Sequence, residues 1–136
     1  MTTSPQALPG FPIPLTRLVR DAPPRQVLAQ NGLTFKAQCV TDPDDSTATQ
    51  LLVTLASNEA GTEYSSTSVY FGNMQTIGPT DGDVQVICYS TTMAGTGFFG
   101  GIAATVVKPS GLVQNGTLAI GVGVLGADGV VAGTIG

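Results

Sequence analysis

The chain has 136 residues, 42% of them hydrophobic and only 10% charged, with a formal net charge of −4. That length suits one domain with a single core, and a charged fraction far below the roughly 25% of ordinary soluble domains leaves a neutral surface that suits burial against a partner. Histidine is absent, which excludes the familiar Ser-His and Cys-His nucleophiles and histidine-based metal sites, while the acidic balance argues against a nucleic-acid face.

Charge and proline divide the chain near residue 36. Residues 1–36 carry Arg17, Arg20, Arg25 and Lys36 against Asp21, net +3, and six of the nine prolines; residues 37–136 carry Lys108 against eight acids, net −7. The N-terminus has neither a basic n-region nor a continuous apolar h-region, so no signal peptide is expected. No run approaches the roughly 20 apolar residues of a helical membrane span.

Taken in order, residues 1–25 cannot form a useful helix, because Pro5, Pro9, Pro12, Pro14, Pro23 and Pro24 remove donors and fix local angles. An extended arm is expected, yet Leu8, Phe11, Ile13, Leu15, Leu18 and Val19 give it more apolar surface than a solvated linker needs. It lies either across its own domain or across a neighbour. Residues 26–29 and 34–40 then read as a hairpin about Asn31-Gly32, with Leu33, Phe35, Ala37 and Cys39 on one face. A turn at 41–46 leads to a strand at 50–56, with Leu51, Val53 and Leu55 inward.

Residues 57–68 read as a polar loop, 69–71 as a short strand and 78–83 as a turn. Residues 84–90 alternate as a strand, with Val84, Val86 and Cys88 on one face; 91–97 read as loop and 99–107 as an apolar strand. Lys108-Pro109-Ser110-Gly111 is a tight turn, and a second Asn-Gly, Asn115-Gly116, is expected to make a hairpin of 112–114 with 117–125. Residues 130–135 are the last strand. The expected fold is all-β, an antiparallel sandwich or flattened barrel of about eight short strands over residues 26–136, preceded by the arm at 1–25.

The order of Ile13-Pro14-Leu15, the run Ala29 to Cys39, Leu52-Val53-Thr54, Lys108-Pro109-Ser110-Gly111 and the ending from Ile120 to Gly133 resembles an uncharacterised β domain of secreted and phage-associated actinobacterial proteins. The resemblance covers most of the chain and rests on turns and core positions. It implies an accessory extracellular or virion module with no catalytic residue to carry over. In that pattern the residue after the final Ala-Asp is usually cysteine, paired with the cysteine of the first hairpin; here it is Gly129, and the second cysteine is Cys88.

Chemistry finds little to work with. Cys39 and Cys88 are either two buried thiols or a bridge between facing sheets. Glu59 with Glu63, or Asp81 with Asp83, could serve as a carboxylate pair, and Asp42, Asp44 and Asp45 could face calcium, but turn and solubility roles explain all of them. No enzyme activity, cofactor or metal is expected. The leading reading is a non-enzymatic structural protein, a phage virion component such as a capsid decoration or tail subunit, forming a homo-oligomer or a larger surface assembly, located in the virion or at the cell surface. Phe11, Ile13 and Leu15 would anchor the arm and Arg17 and Arg20 would fix its register. The alternative is a secreted or cell-surface module that binds glycan or protein with Tyr64, Tyr70, Phe98 and Phe99.

Overall fold

The computed structural model describes residues 11–46, 48–66, 75–90, 98–122 and 129–135. These form ten strands, β1 (Phe11–Leu18), β2 (Arg25–Gln30), β3 (Leu33–Thr41), β4 (Thr49–Ser57), β5 (Thr62–Ser66), β6 (Gln75–Ile77), β7 (Val84–Ser90), β8 (Phe98–Val107), β9 (Val113–Val122) and β10 (Gly129–Ile135). A four-stranded sheet in the order β2-β3-β4-β7 faces a six-stranded sheet in the order β1-β10-β9-β8-β5-β6. Every ladder is antiparallel. The expected β-sandwich is therefore the fold, with more strands than the sequence pattern suggested.

The smaller sheet is built on the hairpin of β2 and β3. Asn31 (φ 52°) and Gly32 (φ 74°) supply the two positive angles that a two-residue turn demands. Along β3, Leu33, Phe35, Ala37 and Cys39 are buried, and across the ladder Leu51, Val53 and Leu55 of β4 stand beside them. Two-residue periodicity thus puts one continuous apolar face toward the other sheet. The β4–β7 ladder shifts register between Val53 and Thr54, which face Ile87 and Gln85, leaving Val86 as the extra residue. Both Val86 and Ile87 are buried as a result, and Cys88 is turned away from the face it was expected to share with Val86.

In the larger sheet, the turn Lys108–Gly111 closes on itself, with the Gly111 N–H donating 2.9 Å to the Lys108 carbonyl. It sets Val107 opposite Val113, and the ladder then runs unbroken to Phe98 opposite Val122. Asn115 and Gly116 lie inside β9, opposite Thr105 and Ala104, so the expected second hairpin does not exist. The chain has already reversed seven residues earlier, and Asn115 instead accepts a 2.8 Å hydrogen bond from the Thr105 hydroxyl. Residues 62–66 are a strand rather than part of a loop: Thr62 and Tyr64 point inward and Glu63 outward, an alternation hidden because threonine counts as polar. β6 lies at Gln75–Ile77, where the sequence pattern assigned no element. The proposed strand at 69–71 lies outside the described residues.

β1 pairs with β10 at the edge of the larger sheet, so residues 11–18 belong to the sandwich. The register slips by one residue between Ile13 and Thr16, where Pro14 has no N–H to give. Opposite Ile13 stands Gly133 (φ 150°), where an added Cβ would lie 2.2 Å from the Thr117 carbonyl oxygen and 3.0 Å from the Leu118 Cα. Backbone cannot yield as a side chain can. Gly133→Ala is expected to cost at least about 2 kcal/mol from strain and overpacking together. Gly82→Ala, at φ 65° with no atom within 4 Å of the new Cβ, should cost only about 1–2 kcal/mol. Urea unfolding of both variants checks the contrast.

Candidate functional site

The N-terminal segment has one face in the core and one in solvent. Ile13, Thr16 and Leu18 are buried, whereas Leu15 is 79% exposed and Val19 59% exposed, with Arg17 exposed between them. Of the expected anchors, then, Ile13 packs in its own domain, Leu15 and Arg17 face outward, and Phe11 begins β1. Pro12 and Pro14 sit on this edge strand, so another strand adds poorly to it. The exposed row of Leu15, Arg17 and Val19 offers side chains rather than backbone.

Between β1 and β2 the chain crosses from one sheet to the other, and Arg20 and Asp21 fasten the crossing. Arg20 Nε donates 3.0 Å to the Thr41 hydroxyl, and its Nη2 donates 2.8 Å to the Ser46 carbonyl and 3.1 Å to the Ala48 carbonyl. Arg20 is therefore committed to its own domain. Asp21 (φ 63°) donates its N–H 2.8 Å to the Cys39 carbonyl. Its carboxylate accepts from the Thr41 N–H at 2.8 Å and the Thr41 hydroxyl at 2.7 Å. The backbone bond first, then the hydroxyl bond, holds the Asp21 carboxyl below its ordinary value, with Arg20 adding a smaller pull. Arg25 Nη1 donates 3.2 Å to the Arg17 carbonyl, tying β2 to β1.

No Cys39–Cys88 bridge forms. Both cysteines lie in the four-stranded sheet with β4 between them, Cys39 opposite Leu51 and Cys88 opposite Leu52. Adjacent residues of β4 face opposite ways, and two strand spacings put the backbones roughly 9–10 Å apart, beyond disulfide reach. Burial pushes the Cys88 thiol above its ordinary value, and the charge of Asp42 adds to that. Cys39 instead faces Gly129, where a Cβ would lie 3.6 Å from the Cys39 Cβ and 2.9 Å from Leu51 Cδ1. A Cβ separation of that size matches a disulfide.

The opposite end of the sandwich, where the β2–β3, β4–β5 and β8–β9 turns meet, is polar inside. Lys108 is only 5% exposed, and its Nζ donates to the Asn31 carbonyl and, at 2.7 Å, to Asn58 Oδ1. The Glu59 carboxylate accepts from the Ser110 N–H and hydroxyl, each at 2.8 Å. The side-chain amides of Gln30 and Gln114 are buried with no hydrogen-bond partner among the described residues. Tyr64 is wholly buried in the core, which withdraws it as a stacking group; the side chains of Tyr70, Phe98 and Phe99 lie outside the described residues.

The acids serve the turns. Asp42 Oδ1 accepts from the Asp44 N–H at 2.8 Å, Asp81 Oδ2 accepts from the Gly78 N–H at 2.7 Å, and Asp83 pairs with Lys36 at 3.0 Å. Among the described residues no three acids or cysteines converge on a point that could hold a metal ion. Comparison of the chain with protein families, curated proteins and solved structures found no match.

Asp21 stabilises the fold while ionised, and because its folded pKa is depressed, that contribution is complete above the unfolded value and vanishes as pH falls through the folded one. Wild type should therefore exceed Asp21→Asn in stability at neutral pH, with the gap closing as pH falls below the ordinary aspartate range and through the lowered folded value; urea unfolding at stepped pH measures it. For the thiols, wild type should give the same intact mass with and without reductant, and Gly129→Cys should form a bridge to Cys39 that raises stability by up to about 4 kcal/mol. A Cys39–Cys88 bridge in wild type would contradict the arrangement.

Proposed function

We propose that this protein is a non-enzymatic structural subunit that assembles with copies of itself on a larger surface, in the form of a phage virion component such as a capsid decoration or tail protein. The observation that carries the reading is the outward row of Leu15, Arg17 and Val19 on a segment whose other face is fixed in the core. Two large apolar side chains held this rigidly lose little entropy on contact, so their burial favours association at about 25 cal/mol per Å². The sequence resemblance and the low charged fraction of 10% support the same reading.

Charge sets orientation more than affinity in such a contact. Arg17 stands exposed between Leu15 and Val19 on this row, where it would meet the acidic body of a neighbour. Removing residues 1–24 would be a poor test, since it deletes Ile13 and Leu18 from the core. Leu15→Glu with Val19→Glu leaves the core intact. Light scattering should show an oligomer for wild type and a monomer for the double variant, with unchanged circular dichroism. A wild-type protein that stays monomeric at high concentration would contradict the proposal.

A further inference from the structure

Lys108 is a buried amine set against a side-chain amide, with a carboxylate near the amine. Its Nζ lies 2.7 Å from Asn58 Oδ1 and 4.0 Å from Glu59 Oε2, with 6% of its side chain exposed. With a carbonyl bond of ordinary length and acceptor angle, Nζ stands roughly 3.5 Å from Asn58 Cγ, the outer edge of attack distance. The amide rests on Gly32, where a Cβ would fall 2.2 Å from Oδ1 and 2.3 Å from Cγ. Glycine at this turn therefore gives the amide its place.

The turn around Asn58 is itself firmly held. Its N–H donates 3.0 Å to the Gly32 carbonyl, Ser57 and Thr62 share a 2.6 Å hydroxyl contact, and the Thr62 hydroxyl donates 2.7 Å to the Glu59 carbonyl. A lysine used only as a clip would bury its charge against two neutral acceptors, with the one carboxylate at 4.0 Å and already bonded to Ser110. That is an expensive way to hold two turns together. Conversion to a neutral amide removes the cost.

We infer that Lys108 and Asn58 are the two halves of an intramolecular isopeptide bond, formed by the folded chain with Glu59 as proton relay. Glu59 takes a proton from the Lys108 ammonium, and the freed amine attacks Asn58 Cγ. As the Nζ–Cγ bond forms and the Cγ–Nδ2 bond breaks, Glu59 passes to Nδ2 the protons that Nζ gives up. Nδ2 departs as ammonium, Glu59 ends as the carboxylate it began as, and the charge is conserved. Asn58 is exposed, so the leaving group escapes to solvent. The product joins the end of β4 to the end of β8 and so staples the two sheets covalently. This inference is independent of the assembly reading.

Intact mass and peptide mapping of the purified wild-type chain test it. The expected mass is one ammonia below that of the sequence, with a branched peptide linking the segments that contain residues 58 and 108. Lys108→Met and Asn58→Ala should each restore the full sequence mass, and Glu59→Gln should slow the reaction about a hundredfold. Cyclic imides at Asn31-Gly32 or Asn115-Gly116 also lose ammonia, but they give no branched peptide and survive in Lys108→Met. A wild-type chain of full mass, or ammonia loss without the branched peptide, overturns the inference, and the wild-type map decides even where a variant fails to fold.

Discussion

The pairing of β1 with β10 completes the larger sheet and carries the buried face of the N-terminal segment into the core between the two sheets. Leu18 and Ile13 enter the same core as Phe35, Leu51 and Leu118, and each such side chain contributes about 1.5–3 kcal/mol when fully buried. The crossing that follows is held by hydrogen bonds to groups on or beside β3 and β4 rather than by packing: Arg20 and Asp21 converge on Thr41 and on the turn before β4. Proline-rich sequence and integral strand are compatible because β1 is an edge. Its prolines leave unpaired positions where the sheet would otherwise continue.

That constraint also explains where the surface is apolar. A strand with one buried face must point its alternate residues outward, and on β1 those are Leu15 and Arg17, with Val19 continuing the row. The basic character of the N-terminal region is largely consumed internally, by Arg20 on β3 and the turn before β4, Arg25 on β1 and Lys36 on Asp83. In the proposed assembly the contact rests on the apolar residues Leu15 and Val19, with Arg17 between them. Affinity from apolar burial and orientation from charge is the division of labour expected of a specific interface.

Much of this was legible in the sequence where period and turn chemistry agreed. β7 runs from Val84 to Ser90, the bounds the pattern marked, and Asn31-Gly32 makes its hairpin. Where local signals competed, tertiary context decided. Asn115-Gly116 has the same dipeptide but follows a turn that has already reversed the chain, so it lies flat in β9. Thr62 and Tyr64 read as polar and are core. The bulge at Val86 cannot be seen in the run Val84 to Cys88, and it alone moved Cys88 to the other face. The Lys108 end left the weakest trace, because Asn31, Asn58 and Lys108 are far apart in sequence and each fits an ordinary turn. Only the three turns meeting at one end of the sandwich bring them together.

Native-state hydrogen exchange tests most directly whether the N-terminal segment is part of the domain. If β1 is an integral strand, the amides it pairs with β10 exchange as slowly as those of β9 and β10, and all three are lost together on global unfolding. Rapid exchange across residues 11–18 beside a protected β9 would contradict the account.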